Sequence, residues 1–185
     1  MKLKDEDIVK LMITPQSLEK GLRAMMDTYQ SRLYWHIRRL IADHDLVQDV
    51  LQDTFIKAYQ NIHQFKSDSK LYTWLYRIAT NEALQQLNKA KRMRKTDEDA
   101  EFYFQNLRAE SAGKDSTEIQ ILLQNAIQML PEKQKLVFNM RYYEDLPYEE
   151  ISKILEMSVG TLKTNYHYAK EKVEQYIKDN FLDEF

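Results

Sequence analysis

Three aspartates, Asp45, Asp49 and Asp53, recur at four-residue spacing beside His44, so on a helix they form one carboxylate face. Such a face is raw material for a divalent-cation site and, through a cation, for phosphodiester hydrolysis. The set is incomplete: a metal site among helices needs donors converging from a second helix, and no Glu/His pair elsewhere supplies them. Nor does the chain carry a Ser/His/Asp triad, a Gly-rich phosphate loop or paired catalytic carboxylates. The aspartate face therefore reads as a surface for a protein partner, and the chain as non-enzymatic, with no metal, cofactor or small-molecule substrate.

Two further constellations fit nucleic acid. In LYTWLYRIATNEALQQLNKAKRMRK, Tyr72, Trp74 and Tyr76 precede the cations Lys89, Lys91, Arg92, Arg94 and Lys95, and aromatics beside cations are what the capture of unstacked bases requires. At helical spacing Arg77, Asn81, Leu84, Asn88 and Lys91 share one face, leaving Leu75, Ile78, Ala79 and Leu87 for the core. In LPYEEISKILEMSVGTLKTNYHYAKEKV, a short helical pattern with Ile151, Ile154 and Leu155 inward is followed by a three-residue turn and then by Ser158, a good N-cap. In the second helix Leu162, Tyr166, Ala169 and Val173 point inward. Lys163, Thr164, His167 and Tyr168 point outward, with Gly160 and Thr161 at the N-terminal end, where donors for phosphates and base edges are useful. On spacing alone this stretch is equally a helical hairpin with a solvated polar face; the Gly usual in such a turn is replaced by Glu156.

These segments need helices to hold them, and the composition predicts helices. The chain has 185 residues with only three Gly and three Pro, too little turn punctuation for an all-β fold. The expected fold class is all-α: two small helical domains joined by a flexible acidic linker, the C-terminal one containing a helix-turn-helix. The first helical pattern runs from Ser17 to about His63, broken at Ala42-Asp43-His44, with Asp45 expected to cap a helix whose inner face is Leu46, Val50, Phe55, Ala58 and Tyr59. A third helix spans about Leu71 to Lys91. Periodicity fails between Met93 and Glu118, an acidic stretch with an aromatic cluster at Phe102, Tyr103 and Phe104. It returns with Ile119, Leu122, Leu123, Ile127 and Leu130 on one face, and Pro131 restarts the chain as a new first turn. The expected domains are 1–92 and 119–185, with 93–118 as linker. Zero Cys excludes disulfides and thiolate metal sites. No apolar run reaches membrane-span length, and MKLKDEDIVK lacks a signal-peptide core, so a soluble, cytoplasmic chain is expected. The formal net charge of -2 argues against a general nucleic-acid coat and for charge concentrated locally.

The segment DVLQDTFIKAYQNIHQFKSDSKLYTWLYRIATNEAL closely resembles the core of bacterial sigma factors of the extracytoplasmic-function, sigma-70-like group. LPEKQKLVFNMRYYEDLPYEEISKILEMSVGTLKTNYHYAKEKV resembles that group's second conserved domain, and together the two cover nearly the whole chain in order. RLYWHIRRL and TWLYRIATNEALQQL are most similar to versions from Bacteroidetes-type bacteria. The resemblance implies a transcription initiation factor that binds core RNA polymerase, directs it to promoters and stabilises melting. It implies polymerase contacts by Asp49, Gln52, Asp53 and Phe55. For the minus-ten element and its melted non-template strand it implies a loop of Phe65, Lys66, Ser67, Asp68, Ser69 and Lys70, with Tyr72 and Trp74 near the melted junction and Asn81 reading a base; Arg77, Asn88 and Lys91 share the Asn81 face and join this set. For duplex DNA at the minus-thirty-five element it implies Arg141, Ser158, Gly160, Thr161, Lys163, Thr164, His167 and Tyr168. Asn165 and Tyr168 stand where many relatives carry Arg, so the promoter sequence is not carried over. The resemblance also implies an anti-sigma partner, often anchored in the membrane, and a linker directed toward the RNA exit path. Two other readings compete. A stand-alone helix-turn-helix regulator would leave DVLQDTF and TWLYRIATN without a purpose, and a nuclease built on the aspartate face would need a divalent metal.

Overall fold

The computed structural model describes residues 3–41, 43–66, 69–93 and 118–181, without the side chains of Lys91, Met93 and Phe181. The expected linker, with Phe102, Tyr103 and Phe104, lies outside the described residues, as do Ser67 and Asp68. The chain divides into two compact units, Met1–Lys89 and Ala90–Phe185. Among the described residues every regular element is helical.

The N-terminal unit contains α1 (Asp5–Ile13), α2 (Leu18–Leu40), α3 (His44–Asn61) and α4 (Leu71–Met93). Sequence periodicity placed nothing before Ser17, yet α1 forms, with Asp5, Glu6 and Asp7 in its first turn and Ile8 and Met12 buried. Those acids suit the positive end of the helix dipole, and Ile8 and Met12, one turn apart, were the legible signal. α1 crosses α2 in backbone contact at Gly21, where a Cβ would sit 2.7 Å from the Met12 nitrogen and 2.9 Å from the Leu11 carbonyl carbon. The Tyr29 hydroxyl bonds to the Asp5 carboxylate; burial and that carboxylate raise the phenol's pKa, so the phenol keeps its proton and donates. The cap of α3 is Asp43 and not Asp45: its Oδ1 accepts from the Leu46 nitrogen at 3.1 Å. Asp45 lies in the first turn, exposed, where its charge faces the helix N-terminus. Tyr59, expected inside, is 43 % exposed, while Val50, Phe55 and Ala58 fill the core.

Two polar contacts dock α4. Lys57 of α3 pairs with the buried Glu82 carboxylate. His36 of α2 is buried, 1 % exposed, with Nε2 2.9 Å from the Thr80 hydroxyl. Thr80 donates its one proton to the Tyr76 carbonyl at 2.7 Å, so it accepts from His36, which is fixed as the neutral Nε2–H tautomer. Burial first, and then the Arg39 charge, lower the His36 pKa to about 3.

The C-terminal unit contains α5 (Glu118–Gln128), α6 (Glu132–Tyr142), α7 (Tyr148–Leu155) and α8 (Val159–Phe181). Its core gathers Ala126, Ile127, Leu130, Phe138, Ala169 and Val173. Pro131 stands at the N-cap of α6, where a missing N–H costs nothing. Ile119 was expected on the apolar face but is 51 % exposed, one residue into α5. Asn139 is 2 % exposed, and neither its amide nitrogen nor its oxygen finds a protein partner.

Two outcomes follow from these buried polar groups. Because the folded pKa of His36 lies below its unfolded value of about 6.5, its neutral form supports folding fully above that pH. Stability then falls by about 1.4 kcal/mol per pH unit as pH drops below about 6.5 toward the folded value. Urea unfolding at pH 7.5 and 5.5 is expected to show that loss in the wild type and to lack it in His36→Gln; a wild-type stability unchanged over this interval contradicts the buried neutral imidazole. Asn139→Leu keeps the same branched outline without polar atoms and is expected to stabilise the C-terminal unit by about 1–3 kcal/mol, measured by thermal unfolding. Destabilisation would mean that the amide is satisfied, for instance by a bridging water.

Candidate nucleic-acid interface

The helix-turn-helix is built by α7 and α8. Pro147 precedes α7, which buries Ile151 and Ile154 and ends at Glu156 in the left-handed region, φ 55° and ψ 39°. A non-glycine residue there is uncommon; the turn is tied by the Ser152 hydroxyl, which donates to the Met157 carbonyl at 2.6 Å. Ser158 caps α8, its Oγ accepting from the Thr161 nitrogen at 3.1 Å. Leu162, Ala169 and Val173 are buried, Tyr166 is half-buried, and Gly160, Thr161, Lys163, Thr164, His167 and Tyr168 are exposed. The pattern read from spacing thus describes the outer face of α8. Several of its polar groups are already engaged: Thr164 donates to the Gly160 carbonyl at 3.1 Å, Asn165 to the Thr161 carbonyl at 2.9 Å, and His167 lies 3.4 Å from Glu171. A Cβ on Gly160 would meet only the Ser158 hydroxyl, at 3.9 Å, so folding does not require glycine at this point and the open space is available to a ligand backbone.

Arg141, the residue named for a phosphate contact, also has a structural task. It donates to the Leu146 carbonyl at 2.6 Å, pairs with Asp145 at 3.6 Å and is only 28 % exposed in its side chain. It holds the α6–α7 connection, where Asp145 takes a positive φ of 49°. The sequence reading missed Tyr148: its ring lies under both the Arg141 guanidinium, at 5.1 Å, and the Lys163 ammonium, at 5.8 Å. A ring shared by two cations orients Lys163 beside the helix it must reach from. Tyr148 was legible only as an apolar residue of α7, since the contact joins elements far apart in the sequence.

In the N-terminal unit, Phe65 and Trp74 pack with ring centroids 5.5 Å apart. Tyr72 and Trp74 are half-buried, and Lys66, Lys70, Arg77, Asn81 and Asn88 are exposed; Ser69 is half-buried. Tyr76, first grouped with Tyr72 and Trp74, is fully buried and belongs to the core. Above Tyr72 sit Arg32 of α2, at 5.7 Å, and Lys70, at 5.5 Å. The position of Arg32 was not foreseeable without knowing that α2 lies against the start of α4, whereas Lys70 is two residues from Tyr72 in the sequence.

The three aspartates lie along α3 of the same unit. Asp45 and Asp49 are exposed and Asp53 is half-buried. Among the described residues no three His, Cys, Asp or Glu side chains gather as a group that could hold a metal ion. Beside them, a groove of about 470 Å³ runs between α2 and α3, with Leu22, Met26, Leu51, Phe55, Ile56 and Tyr59 on its floor and Gln30, Gln48, Gln52 and Gln60 at its rim. Phe55, placed on the inner face by its spacing and among the polymerase contacts by the resemblance, is 5 % exposed and lines this groove. Ile56 and Tyr59, at 44 % and 43 %, supply the groove's exposed apolar area.

Comparison with known proteins locates these surfaces in matched regions. Residues 25–93 match the family model for Sigma-70 region 2, and residues 120–173 match Sigma-70, region 4. The chain is 33 % identical over 159 residues to the RNA polymerase sigma-H factor of Pseudomonas aeruginosa, covering 81 % of this chain and 82 % of that one. It is 30 % identical over 164 residues to the ECF RNA polymerase sigma factor SigW of Bacillus subtilis, covering 84 % and 88 %. Among solved structures, the sigma factor RpoE in complex with the anti-sigma factor NepR from Bartonella quintana aligns with a TM-score of 0.68 at 25 % identity, over 86 % of this chain and 98 % of that one. CnrH in complex with the cytosolic domain of CnrY aligns with a TM-score of 0.69 at 16 % identity, over 95 % and 97 %, a likeness of fold.

Proposed function

The chain belongs to the extracytoplasmic-function group of the sigma-70 family, and on that premise we propose how its parts divide the work of transcription initiation. The protein is a transcription initiation factor without chemistry of its own: it binds core RNA polymerase and promoter DNA. The observation that carries the reading is the order of the two matched regions, each with a surface suited to a different form of DNA. Residues 1–92 serve polymerase and the minus-ten element, 93–118 link, and 119–185 serve the minus-thirty-five element.

Polymerase docks on Asp49, Gln52 and Asp53, with Phe55, Ile56 and Tyr59 as the apolar floor beside them. The melted non-template strand runs over the Phe65–Lys70 loop, Tyr72 and Trp74, with Asn81 reading a base edge and Arg77, Asn88 and Lys91 tracking the backbone. Separating a base step costs about 1.4 kcal/mol, while a base stacked on an aromatic side chain returns about 1–3 kcal/mol, so a few captured bases offset the melting. Duplex is read by Lys163, Thr164, His167 and Tyr168, with Ser158, Gly160 and Thr161 near a phosphate at the start of α8. The cations of α8 are partly balanced within it, as Lys170 is by Glu174, so few counterions are released and free protein binds duplex weakly. Polymerase supplies the missing affinity by holding both units near one promoter.

The solved structure with NepR supports an anti-sigma partner for this chain. No described helix is long and apolar enough to cross a membrane, which supports action in the cytoplasm, beside polymerase. RLYWHIRRL and TWLYRIATNEALQQL support a Bacteroidetes-type origin. A stand-alone regulator is not favoured, because it leaves the groove and the α4 face unused.

Asp49→Lys with Asp53→Lys is expected to weaken core polymerase binding by at least tenfold in a pull-down titration at unchanged helix content; full affinity would remove this surface. Lys163→Ala with His167→Ala is expected to change minus-thirty-five preference by about 1–3 kcal/mol per lost contact. Selection from a promoter library measures this, and an unchanged preferred sequence would reject the α8 face.

A further inference from the structure

The C-terminal half of α2 meets the start of α4 through Arg32, which lies over the Tyr72 ring, and it carries residues given no role above. From Thr28 to Ile41 the sequence has Arg32, Arg38 and Arg39 and no carboxylate, and from Ser69 to Asn81 it has Lys70 and Arg77 and again none. In a chain of formal net charge -2, this is a local concentration of positive charge. Trp35 stands within it, 52 % exposed, one helical turn from both Arg32 and Arg39 and so on their side of α2.

An exposed apolar residue carries no meaning by itself. Two things set Trp35 apart. Its ring is held: Tyr34 packs edge-on against it, centroids 5.3 Å apart, and the Tyr34 hydroxyl is anchored 3.1 Å from His44 Nδ1. It is also continuous with the aromatic face of α4, since Arg32 beside it on α2 lies over the rings of Tyr72, at 5.7 Å, and Tyr76, at 6.0 Å. A pre-ordered indole between arginines is built to stack a planar ligand whose flanks are anionic, the description of a nucleotide in a single strand. Double-stranded DNA fits poorly, because its bases present no free ring face.

We infer that Trp35 is a stacking platform for an unpaired base of single-stranded DNA, with Arg32 and Arg39 toward the neighbouring phosphates, so that the strand track continues from Tyr72 across α2. This rests on the initiation-factor reading, in which the strand is the one opened at the promoter.

The test uses the full chain assembled with core polymerase on a promoter carrying a preformed bubble, which removes melting from the measurement. Trp35→Ala is expected to shorten the lifetime of the heparin-challenged complex about tenfold, within the range for losing one base–aromatic stack, and Trp35→Phe to restore most of it. Core binding is expected to be equal for all three proteins. With 5-iodouracil placed along the non-template strand, the tryptic peptide Leu33–Arg38 is expected to crosslink. A wild-type lifetime for Trp35→Ala, or crosslinks confined to α4, overturns the platform. Weakened core binding with an unchanged lifetime also overturns it, assigning Trp35 to a protein contact. If wild-type protein forms no promoter complex although it binds core, the initiation-factor reading fails first and the platform with it.

Discussion

The hydrogen bond from His36 to Thr80 decides what the N-terminal unit displays. It fixes the rotation of α4 against α2: Thr80 is tied to the Tyr76 carbonyl, Tyr76 packs 4.6 Å from the His36 ring, and one turn earlier Tyr72 emerges under Arg32. An apolar pair would bury equally well but would tolerate rotation of the helix. A neutral imidazole with a single donor does not, because the alternatives leave a buried N–H unsatisfied. The aromatic–basic face and the Arg32–Trp35 extension are consequences of that register.

The two units solve their charge problem in different ways. In the N-terminal unit like charges cluster along the chain: Arg32, Arg38 and Arg39 in the C-terminal half of α2, and Asp45, Asp49 and Asp53 in α3. The C-terminal unit interleaves the two signs along α8, keeping that helix nearly neutral. Clustering concentrates one sign locally, whereas interleaving limits non-specific attraction to duplex. A factor that must not coat the genome, yet must hold an opened strand once polymerase delivers it, benefits from both.

Much of this was legible in the sequence, for a physical reason: helical periodicity reports burial directly. The outer face of α8, the Ser158 cap and the restart at Pro131 follow from local spacing. Contacts between distant segments left no such trace. The Gly21 crossing, the Lys57–Glu82 pair and Tyr148 under two cations depend on which helix lies against which. The hold of Arg141 on the Leu146 carbonyl and Asp145 was likewise not read from the sequence, because it depends on the course of the α6–α7 connection. Tyr59, placed on the inner face by its spacing, is 43 % exposed because it lines the groove beside the core and not the core itself.

Run-off transcription tests the central claim most directly: purified protein mixed with core RNA polymerase from its own kind of bacterium, on fragmented genomic DNA. Discrete transcripts that require the protein are predicted, with start sites that share a two-part upstream sequence. An absence of such transcripts, with the same polymerase active under its primary sigma factor and the protein bound to core, would contradict an initiation factor.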